Sequence, residues 1–133
     1  MQIRIETLID LALEEDAGNG DITSEAVFAP DHVSSAQILA RQDMVVCGLD
    51  IAAQVFKRTN PSLSINHVAS DGDRVSNGET VLRVEGPTIA MLTAERTALN
   101  FLQRLSGIAT LSRRYAEAAS DAGTGVRVVD TRK

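Results

Sequence analysis

The segment Leu92-Thr-Ala-Glu-Arg-Thr-Ala-Leu-Asn-Phe-Leu-Gln-Arg-Leu-Ser-Gly-Ile-Ala-Thr110 begins within the longest stretch of the chain that runs without glycine or proline, which ends at Ser106. Its apolar residues recur at helical spacing, so a long amphipathic helix is expected here. At about 100° per residue, one arc carries Met91, Ala94, Ala98, Phe101, Leu102 and Leu105, with Leu92 and Leu99 at its edge. The opposite arc carries Thr93, Arg96, Thr97, Asn100, Gln103 and Arg104, and it holds no acid. Glu95 falls among the apolar positions instead. Acids and bases usually alternate on a solvated helix face. Arginines ringed by amides also suit an anion, because guanidinium offers a rigid fork of donors to carboxylate or phosphate. The residues alone leave both uses open, a solvated face and an anion site.

The rest of the chain sets the bounds. With 133 residues it can bury one proper core. Its 44% hydrophobic content and mean hydropathy of -0.02 are those of an ordinary globular domain. No apolar run approaches the roughly 18 residues of a membrane span, and no signal-peptide pattern opens the chain. The lone Cys47 rules out a disulfide framework within the chain and reads as a small core residue, so a cytoplasmic setting is expected. The net charge of -5 and the few aromatics argue against nucleic acid. Charge is uneven: residues 91–133 hold seven bases and four acids, whereas residues 1–66 hold four bases and ten acids. An anionic ligand is therefore expected on the C-terminal side.

Taken in order, Ile5 to Asp16 reads as a helix stopped by Gly18-Asn-Gly20, and Asp21-Ile-Thr23 as an Asx-type turn. Val33 to Ala40 and Met44 to Cys47 read as strands. A helix over Asp50 to Thr59 ends at Asn60-Pro61, since the residue before proline is pushed from helical geometry. Leu63 to Val68 and Thr80 to Glu85 are further strands, separated by turns at Asp71-Gly72 and Asn77-Gly78. Gly86-Pro87 launches the long helix. Ser106-Gly107 is expected to break it, with a second helix over Thr110 to Ala122 burying Leu111, Tyr115, Ala118, Ala119 and Ala122. Val126 to Asp130 reads as a strand leading to Thr131-Arg132-Lys133. Polar residues just past a strand's carboxyl end are where α/β folds place ligand chemistry. A frayed polar tail is the other reading.

The pattern Asp71-Gly-Asp-x-Val75-x-x-Gly78-Glu79 resembles the hairpin core of biotinyl and lipoyl domains. Those carry their cofactor on a lysine, and no lysine occurs between Arg58 and Lys133, so no carrier role is expected. A wider resemblance covers essentially the whole chain. Glu15-Asp16-Ala-Gly18-Asn-Gly20-Asp21-Ile-Thr23, Asp71-Gly72-Asp73 with Gly78, the block Ala94-Glu-Arg-Thr-Ala-Leu-Asn-Phe-Leu102 continuing as Gln103-Arg-Leu-Ser-Gly-Ile-Ala-Thr110, and Asp130-Thr-Arg-Lys133 together resemble the quinolinate phosphoribosyltransferase family. The block through Thr110 is specific; glycine turns alone are weak.

The resemblance implies an α+β chain. Residues 1–105 would form an α/β hammerhead-like domain with a mostly antiparallel sheet and packed helices. Residues 106–133 would form a linker helix and the first strand of an incomplete α/β barrel. Family members are about twice this long, and this sequence departs from them by ending at Lys133, so no turnover is expected of these 133 residues alone. The implied parent reaction joins quinolinate to phosphoribosyl pyrophosphate with Mg2+, giving nicotinate mononucleotide, pyrophosphate and CO2. Arg96 would reach quinolinate in a partner subunit's site, Arg132 would contact quinolinate, and Lys133 would face phosphoribosyl pyrophosphate. Asn100, Arg104 and Thr131 would support the site. Glu95 would be a buried brace, pairing with Arg104 or a backbone group in a domain interface. No catalytic or metal-binding residue is assigned. A homodimer or larger homo-oligomer with shared sites is implied, without nucleic acid or membrane. Two alternatives stand beside this: a related phosphoribosyltransferase or pyrophosphorylase-like protein with another substrate, and a stand-alone non-catalytic binding module.

Overall fold

The computed structural model describes residues 4–18, 20–123 and 125–131. Helix α1, Ile5–Ala17, buries Ile9 and lays Ile5 and Leu13 against the core. It stops at Gly18, whose φ of 45° and ψ of -109° suit glycine best. A short helix not anticipated from the sequence, α2 (Ile22–Val27), follows. Asp21 caps it, accepting from the Ser24 amide at 3.1 Å, so the expected Asx-type contact is present but opens a helix. Ile22 and Val27 are exposed, which leaves these six residues without an apolar period to read.

Strands β1 (Val33–Leu39), β2 (Met44–Val45), β3 (Ser64–His67), β4 (Arg74–Val75) and β5 (Thr80–Pro87) form two sheets. β5 lies centrally between β1 and β3, antiparallel to both, in register Ala36↔Val84 and Ile65↔Val84. A bulge after Ile38 shifts the β1 register. β2 pairs antiparallel with β4. Helix α3, Leu49–Thr59, buries Leu49, Ala52, Val55 and Phe56 and ends at extended Asn60, as the following proline requires. Its N-terminus is capped from a distance: Asp71 accepts from the amides of Gly48 (2.9 Å) and Leu49 (3.0 Å), satisfying donors a helix start leaves open. The core joins Ile9, Val46, Leu49, Val55, Leu63, Val81, Leu82 and Val84 with Met91, Ala94, Ala98 and Leu102 of the long helix.

That long helix, α4, is Thr88–Asp121, a single element of 34 residues. The break expected at Ser106-Gly107 is absent. Glycine inside a helix costs only about 1 kcal/mol relative to alanine. Here Ser106 is fully buried, its Oγ accepting from the Cys47 amide at 3.0 Å. One turn on, Thr110 Oγ1 accepts from the Val45 amide at 2.9 Å. Residues i and i+4 of a helix rise about 6 Å, close to the repeat of i and i+2 in a strand. The two hydroxyls therefore serve the free edge of β2 and its continuation as a neighbouring strand would, and they carry the helix through Gly107. Beyond that contact Leu111, Tyr115, Ala118 and Ala122 are exposed rather than inward, because no element of the described chain covers them. Among the described residues, Val126 to Asp130 forms no strand. Val126, Val128 and Val129 are exposed, and a strand needs a paired neighbour that this segment lacks. No described helix is long and apolar enough to cross a membrane.

Candidate functional site: the polar face of the long helix

α4 presents Arg96, Asn100 and Arg104 at i, i+4 and i+8, all exposed on one face. In the sequence this arc had no acid. The fold supplies one: Asp16, at the end of α1, accepts from Arg96 Nη1 at 2.9 Å. The other carboxylate oxygen of Asp16 accepts from Thr97 Oγ1 at 3.3 Å. Asp16 is only 20% exposed and Arg96 77%. One oxygen is thus fixed by a buried hydroxyl while the other holds one edge of a guanidinium that faces solvent. Thr97, placed on the polar arc by its sequence position, is in fact buried beneath this contact.

Asn100 and Arg104 line an open groove between α1 and α4 of about 580 Å³, with Ala12, Glu15 and Phe101. Glu95 departs from expectation. It is exposed, and it lies on the rim of a shallower pocket of about 340 Å³ with Leu92, Arg96, Leu99 and Gln103. Pairing with Arg104 is closed to it by geometry. Nine residues of helix separate the two by about 13 Å and half a turn. Thr131 is exposed in irregular chain, with no hydrogen bond to α4 among the described residues, and Arg132 and Lys133 lie outside the described residues. The structure therefore assembles Arg96, Asn100 and Arg104 and does not bring Thr131 to them.

Two acids, Asp21 and Asp10, have their charge held in place. Hydrogen bonds from Ser24 keep the Asp21 carboxyl below its usual range, and the nearby Arg96 adds to the shift. The Arg58 hydrogen bond does the same for Asp10 and ties α1 to α3. Burial, reinforced by Asp71, pushes the Cys47 thiol up, so it is a poor nucleophile at neutral pH. Among the described residues no group of three or more His, Cys, Asp or Glu side chains is placed to hold a metal ion. Sequence reasoning missed Asp16, Ser106 and Thr110. Asp16 stood in the resembling segment, but nothing local marked a partner 80 positions away. The i, i+4 hydroxyls of Ser106 and Thr110 were the one visible signal for β2 docking.

The chain is thus an antiparallel α+β domain whose longest helix exposes an arginine held at one edge by Asp16. The chain belongs to the quinolinate phosphoribosyltransferase family: the model of the quinolinate phosphoribosyl transferase N-terminal domain matches residues 21–106. It is 41% identical over 130 residues to quinolinate phosphoribosyltransferase (decarboxylating) 2, mitochondrial, of Nicotiana glauca, covering 97% of this chain and 36% of that protein. It is 37% identical over 131 residues to the probable nicotinate-nucleotide pyrophosphorylase (carboxylating) of Synechocystis, covering 98% of this chain and 43% of that one. Among solved structures, NadC from Streptococcus pyogenes superposes with a TM-score of 0.85 at 32% identity, over 91% of this chain and 44% of the other. The nicotinate-nucleotide pyrophosphorylase from Francisella tularensis gives 0.83 at 32% identity, over 90% and 43%. The chain thus spans less than half the length of these relatives.

Proposed function

We propose that the chain is the N-terminal part of a quinolinate phosphoribosyltransferase of NAD biosynthesis, a decarboxylating transferase acting on quinolinate and phosphoribosyl pyrophosphate. The observation that carries this is the Arg96 guanidinium, 77% exposed and, among the described residues, held at one edge only, by Asp16, within the block that matches the family. Quinolinate is a dianion, and a fixed guanidinium fork receives a carboxylate through two parallel hydrogen bonds. In this reading Arg96 binds quinolinate in a partner subunit's site within a homodimer or larger assembly. Arg132 takes a second quinolinate contact, and Lys133 faces the phosphoribosyl pyrophosphate. Asn100, Arg104 and Thr131 support the site, and Glu95 acts from the rim of α4 at the interface.

The pyridine nitrogen displaces pyrophosphate at the ribose anomeric carbon, and fixed cations favour the anionic leaving group more than water would. Mg2+ belongs to this proposal as a companion of the phosphates. The donor set described here does not fit a metal site, so no step is routed through it. The division at residue 105, now inside the continuous α4, and a cytoplasmic location are also part of the proposal.

The test is titration of each substrate into a protein of the relatives' full length that carries this chain. Arg96→Ala should raise the quinolinate Kd by about 10- to 100-fold, the scale of a lost charge-assisted hydrogen-bond pair, and leave the phosphoribosyl pyrophosphate Kd within about twofold. Equal losses for both substrates would refute the assignment.

A further inference from the structure

We infer that Asp16 is a positioning residue for quinolinate binding, acting through Arg96; the inference rests on the function proposed above. Three features of the geometry carry it. Among the described residues Asp16 engages Arg96 through Nη1 alone, at 2.9 Å, and the rest of the planar donor fork has no partner there. The carboxylate is itself anchored, because Thr97 donates to its second oxygen at 3.3 Å and Thr97 is buried. Arg96 is 77% exposed, so its long side chain would otherwise sample many rotamers.

An exposed ion pair contributes little to stability, since solvent screens it and ordering two side chains costs entropy. Its consequence here is orientation. A guanidinium already fixed in direction loses less freedom when it takes a carboxylate, and misplacement of a binding group by about 1 Å can cost up to 100-fold. Two neighbouring contacts limit the alternatives. α1 is independently tied to α3 by Asp10 and Arg58, so Asp16 is not the sole attachment of that helix. Hydrogen bonds from Ser24 hold the Asp21 carboxyl below its usual range, with a smaller contribution from the nearby Arg96, and both its oxygens are engaged by Ser24. Asp16 alone among these acids contacts the guanidinium.

The experiment is a double-mutant cycle in the full-length protein, read by calorimetric titration of quinolinate. Asp16→Ala alone should raise the quinolinate Kd about tenfold and leave the phosphoribosyl pyrophosphate Kd unchanged. In an Arg96→Ala background the same substitution should change the quinolinate Kd by less than about twofold, because its route of action is gone. Asp10→Ala, which loosens α1 without touching Arg96, should leave both constants unchanged. If Asp16→Ala does not fold by circular dichroism, Asp16→Asn takes its place, with an expected rise of about threefold and the same background comparison.

Asp16→Ala with no effect, or with an equal effect in both backgrounds, overturns the positioning role while leaving Arg96 as a quinolinate ligand. Asp10→Ala matching Asp16→Ala overturns it too, since loosening of α1 would then suffice. Arg96→Ala without effect on quinolinate overturns both this inference and the reading beneath it.

Discussion

Replacing Ser106 by alanine tests the hydroxyl ladder that carries α4 past Gly107. The side chain is 1% exposed, and its Oγ accepts from the Cys47 amide and donates to the Cys47 carbonyl oxygen 3.2 Å away. Alanine leaves the backbone donor of half-buried Cys47 without its partner, at a cost of about 1–3 kcal/mol. It also gains helix propensity, about 0.5 kcal/mol over serine. The expected net destabilisation is therefore roughly 0.5–2.5 kcal/mol. For a chain of this length about 4 °C in Tm corresponds to each kcal/mol, so the fall should be about 2–10 °C. Ser112→Ala on the exposed side of the same helix shares the propensity gain and loses no side-chain hydrogen bond among the described residues, so subtracting the two isolates the ladder. Thermal and urea unfolding followed by circular dichroism supply the stabilities. Amide exchange should show Cys47 losing protection in Ser106→Ala only. Equal midpoints for the two variants, with Cys47 protection unchanged, would refute the ladder.

Other outcomes follow from the same geometry. The Asp10 and Asp21 carboxyls have folded values below their ordinary 3.8, so they contribute stability above the unfolded value that is lost as pH falls through the folded one. Asp21→Asn should accordingly flatten the decline of stability below about pH 5, and an unchanged acid limb would remove the capping argument. Gly107→Ala should stabilise by about 0.5–1 kcal/mol, because the position is helical and an added Cβ meets nothing within 4 Å; a drop in Tm would contradict the unbroken helix. Gly48→Ala should destabilise by about 1–3 kcal/mol, since φ is +98° and the new Cβ would stand 2.7 Å from Leu105 Cδ1. A neutral result in the same melts would mean that the start of α3 can relax away from α4.

Much of the fold was legible locally. Apolar period 3.6 marked α1, α3 and the buried arc of α4; alternation marked the sheet strands; Asn60-Pro61 and the two Asp/Asn-Gly pairs marked the stops and turns. α2 was missed because six residues with exposed Ile22 and Val27 carry no period. The strand expected over Val126 to Asp130 failed because β structure is a property of pairs, and the described chain offers that segment no pair.

The sequence by itself determined that Arg96, Asn100 and Arg104 share a face, because helical spacing fixes which residues look the same way. It could not say what they look at. Only the tertiary structure set Asp16 against Arg96, buried Thr97 beneath that contact, and left Glu95 on the rim facing away from Arg104. It also decided that Gly107 lies inside one helix, because two hydroxyls bound to a strand edge outweigh a local preference of about 1 kcal/mol. Periodicity is written in the order of the residues, whereas the partner of each face arrives from a segment as much as 81 positions away.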